Sequence, residues 1–219
     1  MNTLNLSLRG LHDYRNTPDG AIDFYVEIHV WIDGLSALVY SEFIFTVGSL
    51  DRFQNRLDNC NKVAWYVDHQ MILKTYNHGL IEEEIKKIIA EANKKQTRRE
   101  AFDFLKLFMR LWTDPEEYFH PILDKELLLE SSQTDCWDHR IDTVKLHSGL
   151  EYPTDFEYSY EVVDITFVHP KTLEKNVVPV PVITVGWLER EVEEKGFFMA
   201  YNMILLRFFD FGLIRNLWR

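Results

Sequence analysis

Ile22, Phe24, Val26, Ile28, Val30 and Ile32 occupy every second position across eleven residues. Side chains of an extended chain point alternately to two faces, so this spacing makes a strand with one apolar face and cannot make one side of a helix. A chain that must bury such a stripe needs a sheet and something to lay against it. Asp33-Gly34 follows as a turn, and residues 38–46 are expected to return antiparallel as a hairpin partner. The opposite face of the strand carries Asp23, Tyr25, Glu27, His29, Trp31 and Asp33, alternating carboxylates with rings. Rings edged by acids suit a protein-binding surface, where Tyr and Trp anchor and charge steers. Cover by a helix of the same chain would explain Tyr25 and Trp31 equally well.

Leu4, Leu6 and Leu8 alternate as a short strand, and residues 16–20 (Asn-Thr-Pro-Asp-Gly) form a turn. Ser49 is the expected N-cap of a short helix over 50–59, followed by extended stretches at 62–67 and 71–76. Ile81, Ile85, Ile88, Ile89 and Ala92 make a narrow apolar stripe on a charged helix. Its Glu82-Glu83-Glu84 run is expected in the first turn, where the helix dipole favours acids. Residues 94–99 read as an exposed break, and 100–112 as a largely buried helix whose polar stripe is Asp103, Lys106 and Arg110. Asp114-Pro115-Glu116-Glu117 is a helix start, with an interruption at Pro121 before Glu130. Beyond Ser131 extended structure returns. The apolar parity switches after Val162, which predicts a bulge near Val162-Val163. Pro179 and Pro181 mark residues 176–185 as an edge strand with its open side blunted. Residues 187–214 read as helical with a break at Gly196.

Hairpins rather than βαβ alternation predict an α+β fold with antiparallel sheets, a central helical segment and a C-terminal helix. One domain over 1–219 is expected, divisible into a sheet with a short helix (1–78), a helical part (79–131) and a sheet with a helix (132–219). Hairpin-then-helix occurs twice, at 21–60 and 156–212, without a visible residue-level repeat.

Charge narrows the classes of partner. The formal net charge is −11, from 24 basic and 35 acidic residues. Between Thr113 and Asp164 fourteen acids face three bases, so about a quarter of the chain carries the whole imbalance. Such a field disfavours nucleic acid and anionic membrane and speeds encounter with a basic partner. A solvated acidic face kept for solubility explains it as well. No signal peptide is visible, the apolar run at 197–206 is too short to span a bilayer, and Cys60 and Cys136 stand far apart. The expectation is a cytoplasmic protein with free thiols.

Signals of chemistry are sparse. Asp135, Cys136, Asp138, His139, Asp142 and His147, in the stretch that also holds Trp137, form the densest set of potential metal ligands, without a recognised spacing. Asp68-His69 and His12-Asp13 are adjacent pairs whose side chains diverge in extended chain. No nucleophile elbow, Gly-rich phosphate loop or dinucleotide fingerprint occurs, and no motif asks for a cofactor. The basic run at 94–99 is flanked by Glu91, Glu100 and Asp103 and reads as a solvated turn.

A hairpin of Tyr-Val-Glu-Ile-His-Val-Trp type, a return strand ending in Thr46-Val47-Gly48-Ser49-Leu50 and a short helix over 51–57 resemble the opening of some immunity proteins, the antidotes to bacterial polymorphic or contact-delivered toxins. The resemblance covers residues 22–58. It implies an acidic non-enzyme that occludes a toxin domain, often a basic nuclease, and it carries over no binding residue. Together with the charge this predicts a protein-binding protein. Asp135, Asp138 and Asp142 would attract and Tyr25, Trp31 or Trp137 would anchor, with Glu27, His29 and Asp33 around them. A metal-dependent hydrolase centred on Asp138, His139 and His147, or a regulatory subunit of a larger assembly, are the alternatives.

Overall fold

The computed structural model describes residues 4–35, 41–59, 64–67, 69–112, 140–150, 153, 155–168, 172–200 and 202–216. The strands of the first half are β1 (Ser7–Asp13), β2 (Tyr25–Asp33), β3 (Ser41–Ser49), β4 (Ala64–Val67), β5 (Gln70–Leu73) and β6 (Arg110–Leu111). Those of the second are β7 (Arg140–Leu146), β8 (Tyr160–Val168), β9 (Lys175–Thr184), β10 (Phe197–Ala200) and β11 (Met203–Leu206). The helices are α1 (Leu50–Asn59), α2 (His78–Ala92), α3 (Arg98–Leu105), α4 (Val185–Lys195) and α5 (Phe211–Asn216). One sheet runs β1-β2-β3-β5-β10 with β6 beside β3, and the other runs β4-β11-β9-β8-β7. The fold is α+β. Each sheet is mostly antiparallel but holds one parallel pair, β3 with β5 and β9 with β11.

The alternating stripe does what its spacing requires. Val26, Ile28, Val30 and Ile32 are buried against Ile81, Ile85, Ile88 and Ile89 of α2 and Ala101 and Leu105 of α3. Ile22 stays outside the strand and exposed. Asn77 caps α2, accepting the Leu80 N–H at 3.0 Å. The Glu82–Glu84 run therefore lies beyond the first turn, and i,i+4 pairs from Glu82 to Lys86 and Glu83 to Lys87 account for it better than the dipole.

The halves repeat one another with matched register. Each is a three-stranded meander, a helix, then a strand given to the other half's sheet and a strand kept in its own. Tyr25 aligns with Gly48 as Tyr160 does with Ile183, and Asp13 with Ile28 as Leu146 does with Val163. Even the bulge is shared, between Leu8 and Gly10 in β1 and between Ile141 and Thr143 in β7. Ser49 ends β3 and accepts N–H groups from Phe24 and Arg52, while Thr184 ends β9 and accepts from Ser159 and Trp187.

The exchanged strands tie the halves together. Phe197–Ala200 pairs with Leu73–Gln70 in one sheet and Met203–Leu206 with Val67–Ala64 in the other, both antiparallel and in the same register. The chain turns at the crossings with left-handed residues, His69 (φ 47°) and Asn202 (φ 49°), side chains that tolerate that region better than most. A shared core of Phe53, Leu57, Ile72, Leu188, Val192, Met203 and Leu205 lies between α1, α4 and the ribbon. Gln54 donates to Glu189 at the centre, flanked by the matched ion pairs Lys74–Glu193 and Arg207–Asp58.

Several expectations change. Residues 187–214 are not one broken helix: Gly196 (φ 83°) ends α4, and β10, β11 and α5 follow. The supposed buried helix over 100–112 stops at Leu105, and the chain becomes β6. The short N-terminal strand is displaced to Ser7–Asp13. β8 pairs with β9 without interruption, so the parity switch is not a bulge in β8: Phe156 and Tyr158 precede the strand, its buried residues are Val163 and Ile165, and the bulge belongs to β7. β9 lies between β8 and β11, yet β11 reaches only Val182–Thr184, which leaves Pro179 and Pro181 on the uncovered stretch of its edge. In the first half β6 covers the matching stretch of β3.

Candidate protein-binding face

The face of β2 opposite the core presents Tyr25, Glu27, His29, Trp31 and Asp33, and α2 and α3 pack on the other side. Pairing brings His12 of β1 and Glu42 and Ile44 of β3 beside it. His29 Nδ1 meets Glu42 Oε1 at 2.5 Å. The ring of His29 stands edge-on to Tyr14 (4.6 Å between centroids) and Trp112 (5.3 Å), and His12 meets Tyr14 at 4.3 Å. Tyr14 and Trp112 are 60% and 50% exposed, whereas His29 is half-buried. The backbone N–H of Trp112 donates to the Glu42 carbonyl at 2.9 Å.

Trp31 lies over Gly10, where a Cβ would stand 2.9 Å from the indole. Only glycine admits the ring so close. At the rim Arg110 reaches Glu27 at 3.3 Å and Arg9 reaches Asp33 at 3.6 Å. The Arg15 guanidinium donates to the Tyr25 carbonyl at 2.9 Å. The arrangement is an aromatic and imidazole cluster with its carboxylates partly balanced. Of the predicted residues it joins Glu27, His29, Trp31 and Asp33, with Tyr25 at the end nearest α1. Sequence reasoning missed Tyr14, Glu42 and Trp112. Tyr14 and Trp112 lie far from the strand in sequence, and strand alternation alone could have placed Glu42.

Asp135, Trp137, Asp138 and His139 lie outside the described residues. Asp142 is the bulge residue of β7 and binds Lys175 Nζ at 2.7 Å. His147 pairs with Asp164 at 2.9 Å. Among the described residues no three His, Cys, Asp or Glu side chains converge as metal ligands. Of residues 94–99, 94–97 lie in the turn between α2 and α3 and Arg98 and Arg99 open α3; Lys94 pairs with Glu91, Arg99 with Asp103 at 2.9 Å, and Lys95 lies over Phe104. Those cations are held within the chain. A cleft of about 400 Å³ between the halves is bridged by Lys74 and Glu193, which are 3.3 Å apart. Among the described residues no helix is long and apolar enough to cross a membrane.

No family model matches the chain, and no similar curated protein or solved structure was found.

Proposed function

We propose that this chain is a non-enzymatic, acidic protein-binding protein, an immunity protein that neutralises a toxin domain by occluding it. The observation that carries this reading is the aromatic and acidic face of β2 turned away from α2 and α3. Half-buried Trp31 and His29, exposed Tyr14 and Trp112, and the carboxylates Glu27, Glu42 and Asp33 sit together on a side that α2 and α3 leave free. Such surfaces bind through a few aromatic anchors and are found quickly through charge. The net charge of −11 selects a basic partner and disfavours nucleic acid. The setting for an antidote is the cytoplasm.

The test is affinity capture of the tagged protein from its producing cells, washed at low and high salt. The expected result is one stoichiometric basic protein that salt loosens, toxic when expressed alone and harmless beside this chain. Glu42→Gln with Glu27→Gln should slow association and flatten its salt dependence. Capture of an acidic partner, or an on-rate indifferent to salt, refutes the reading.

A further inference from the structure

The two halves serve as controls for each other. At matched positions the first half has Asp23 and Arg52, an ion pair at 3.5 Å, and the second has Tyr158 and Trp187. The fold is satisfied by the charged pair, so it does not require aromatics at 158 and 187, whereas Tyr160 matches Tyr25. Tyr158 is 47% and Tyr160 46% exposed. Tyr160 lies 5.1 Å from Trp187, which meets Phe198 edge-on at 5.3 Å, so the row is seated on the shared core. Gly186 admits Tyr158 closely: a Cβ there would stand 3.0 Å from its ring.

We propose that the row Tyr158–Tyr160–Trp187 is a docking surface for an arginine-bearing segment of a basic protein, a second contact in addition to the face of β2. The proposal rests on the partner-binding reading above and adds where and by what chemistry the partner is held. Two observations choose the occupant. The guanidinium of Arg190 already lies 4.8 Å over the Tyr158 ring, so the surface accepts that group in the stacking geometry of a cation–π contact. Exposed Asp155 and Glu157 immediately precede the row, and Arg190 is the one base among the contacts described for it. Tyr, Trp and a partner's Arg are also the side chains most often dominant in protein interfaces.

The test follows the Trp indole and backbone N–H resonances of the full chain while octa-arginine is added, with octa-glutamate as control. The expected result is saturable shifts at the Trp187 indole and at Tyr158 and Tyr160, absent with octa-glutamate. Tyr158→Ala with Tyr160→Ala should weaken binding about tenfold. Both side chains are exposed, so the fold should survive, and unshifted resonances of β2 check it. Arg190→Ala, which vacates the ring, should tighten binding a few-fold. Saturable shifts centred on Trp31 and Trp112 instead overturn this surface but leave the proposed function standing. Diffuse shifts that never saturate, or none, overturn this surface, while the capture experiment decides the proposed function separately.

Discussion

Asp13 and Tyr76 give a sharp test of how the repeated halves work. Asp13 accepts the N–H groups of Arg15 and Thr17, both at 2.8 Å, and the Tyr76 hydroxyl at 3.3 Å. It is buried, as is Tyr76. The matching residues of the second half are Leu146 and Phe209, packed in one apolar cluster. Phe209 donates its N–H to Phe156 as Tyr76 does to Ala21, both at 2.8 Å. Tyr76→Phe removes one long hydrogen bond to a carboxylate and should cost about 1–2 kcal/mol. Asp13→Leu orphans two N–H groups and a buried hydroxyl, about 3 kcal/mol once water serves the outer donors. In that background Tyr76→Phe removes an orphan, so it should cost nothing. The double variant should then lose about 3 kcal/mol rather than about 4–5, a coupling of about 1–2 kcal/mol in urea unfolding. Strict additivity would refute the pairing. Protonation gives an independent check. Burial pushes the Asp13 carboxyl up, but the bonds from Thr17, Arg15 and Tyr76 outweigh it and hold the group below its ordinary value. A lowered folded pKa stabilises above the unfolded value and is lost as pH falls through the folded one. The gap between wild type and Asp13→Asn should therefore be widest near neutral pH and shrink below about pH 4. A gap that stays constant down to pH 3 refutes the cause. Burial and the Asp13 charge also push the Tyr76 hydroxyl up, so stability should fall above about pH 10.

Gly34 has φ +92° and a Cβ there would stand 2.5 Å from the Asn5 carbonyl oxygen, whereas Gly20 has φ +85° and open space. Gly34→Ala should lower the melting temperature well beyond Gly20→Ala, which should cost only about 1 kcal/mol of backbone strain; equal losses contradict the clash. Phe53→Ala opens the shared core and should cost about 3–5 kcal/mol, with hydrogen exchange rising at Leu205 of one sheet as at Ile72 of the other. Protection lost in one sheet alone means the halves are not coupled through this core. Pro179→Val with Pro181→Val restores N–H groups on the open stretch of β9, and light scattering should detect concentration-dependent association that wild type lacks.

Much of this was legible in the sequence, and the reasons differ by element. The β2 stripe, the Ser49 cap and the α2 stripe are local signals in which pattern and fold agree, whereas the prolines of β9 mark only the stretch that β11 leaves uncovered and not an edge strand. The exchange of β4 and β10 is not local: nothing in four residues says which sheet they join. Short buried strands such as Met203–Leu206 are apolar on both faces, so periodicity cannot separate them from a helix. The repeat was also present in the residues. Leu73-Lys74-Thr75-Tyr76-Asn77-His78-Gly79-Leu80-Ile81 matches Leu206-Arg207-Phe208-Phe209-Asp210-Phe211-Gly212-Leu213-Ile214, keeping strand end, base, ring, cap and Gly-Leu-Ile. It escapes notice because the meanders, which hold most of each half, keep apolar pattern rather than identity. Tyr25 with Tyr160 and Val47 with Val182 are the identities within β2, β3 and their counterparts.

That divergence separates what the fold demands from what it leaves free. Ser49 and Thr184, Asn77 and Asp210, Lys74 and Arg207, and Ile81 and Ile214 keep their chemistry because a cap, an ion pair or a core is at stake. Tyr14, His29, Trp31 and Glu42 meet His147, Asp164, Thr166 and Val177, and share no chemistry with them. Gly10 and Trp31 make the point testable, because their counterparts Thr143 and Thr166 join their hydroxyls at 2.9 Å across the same strands. Gly10→Thr alone drives a Cβ to 2.9 Å from the indole and should cost about 1–3 kcal/mol through overpacking. Adding Trp31→Thr removes the ring and installs the hydroxyl pair of the other half, so the double variant should recover most of that loss. If the proposed function holds, it should also lose the protein partner, since the proposed aromatic anchor is gone while the sheet stands. A double variant less stable than Gly10→Thr breaks the equivalence of the halves. One that folds and still binds with unchanged affinity removes Trp31 from the interface.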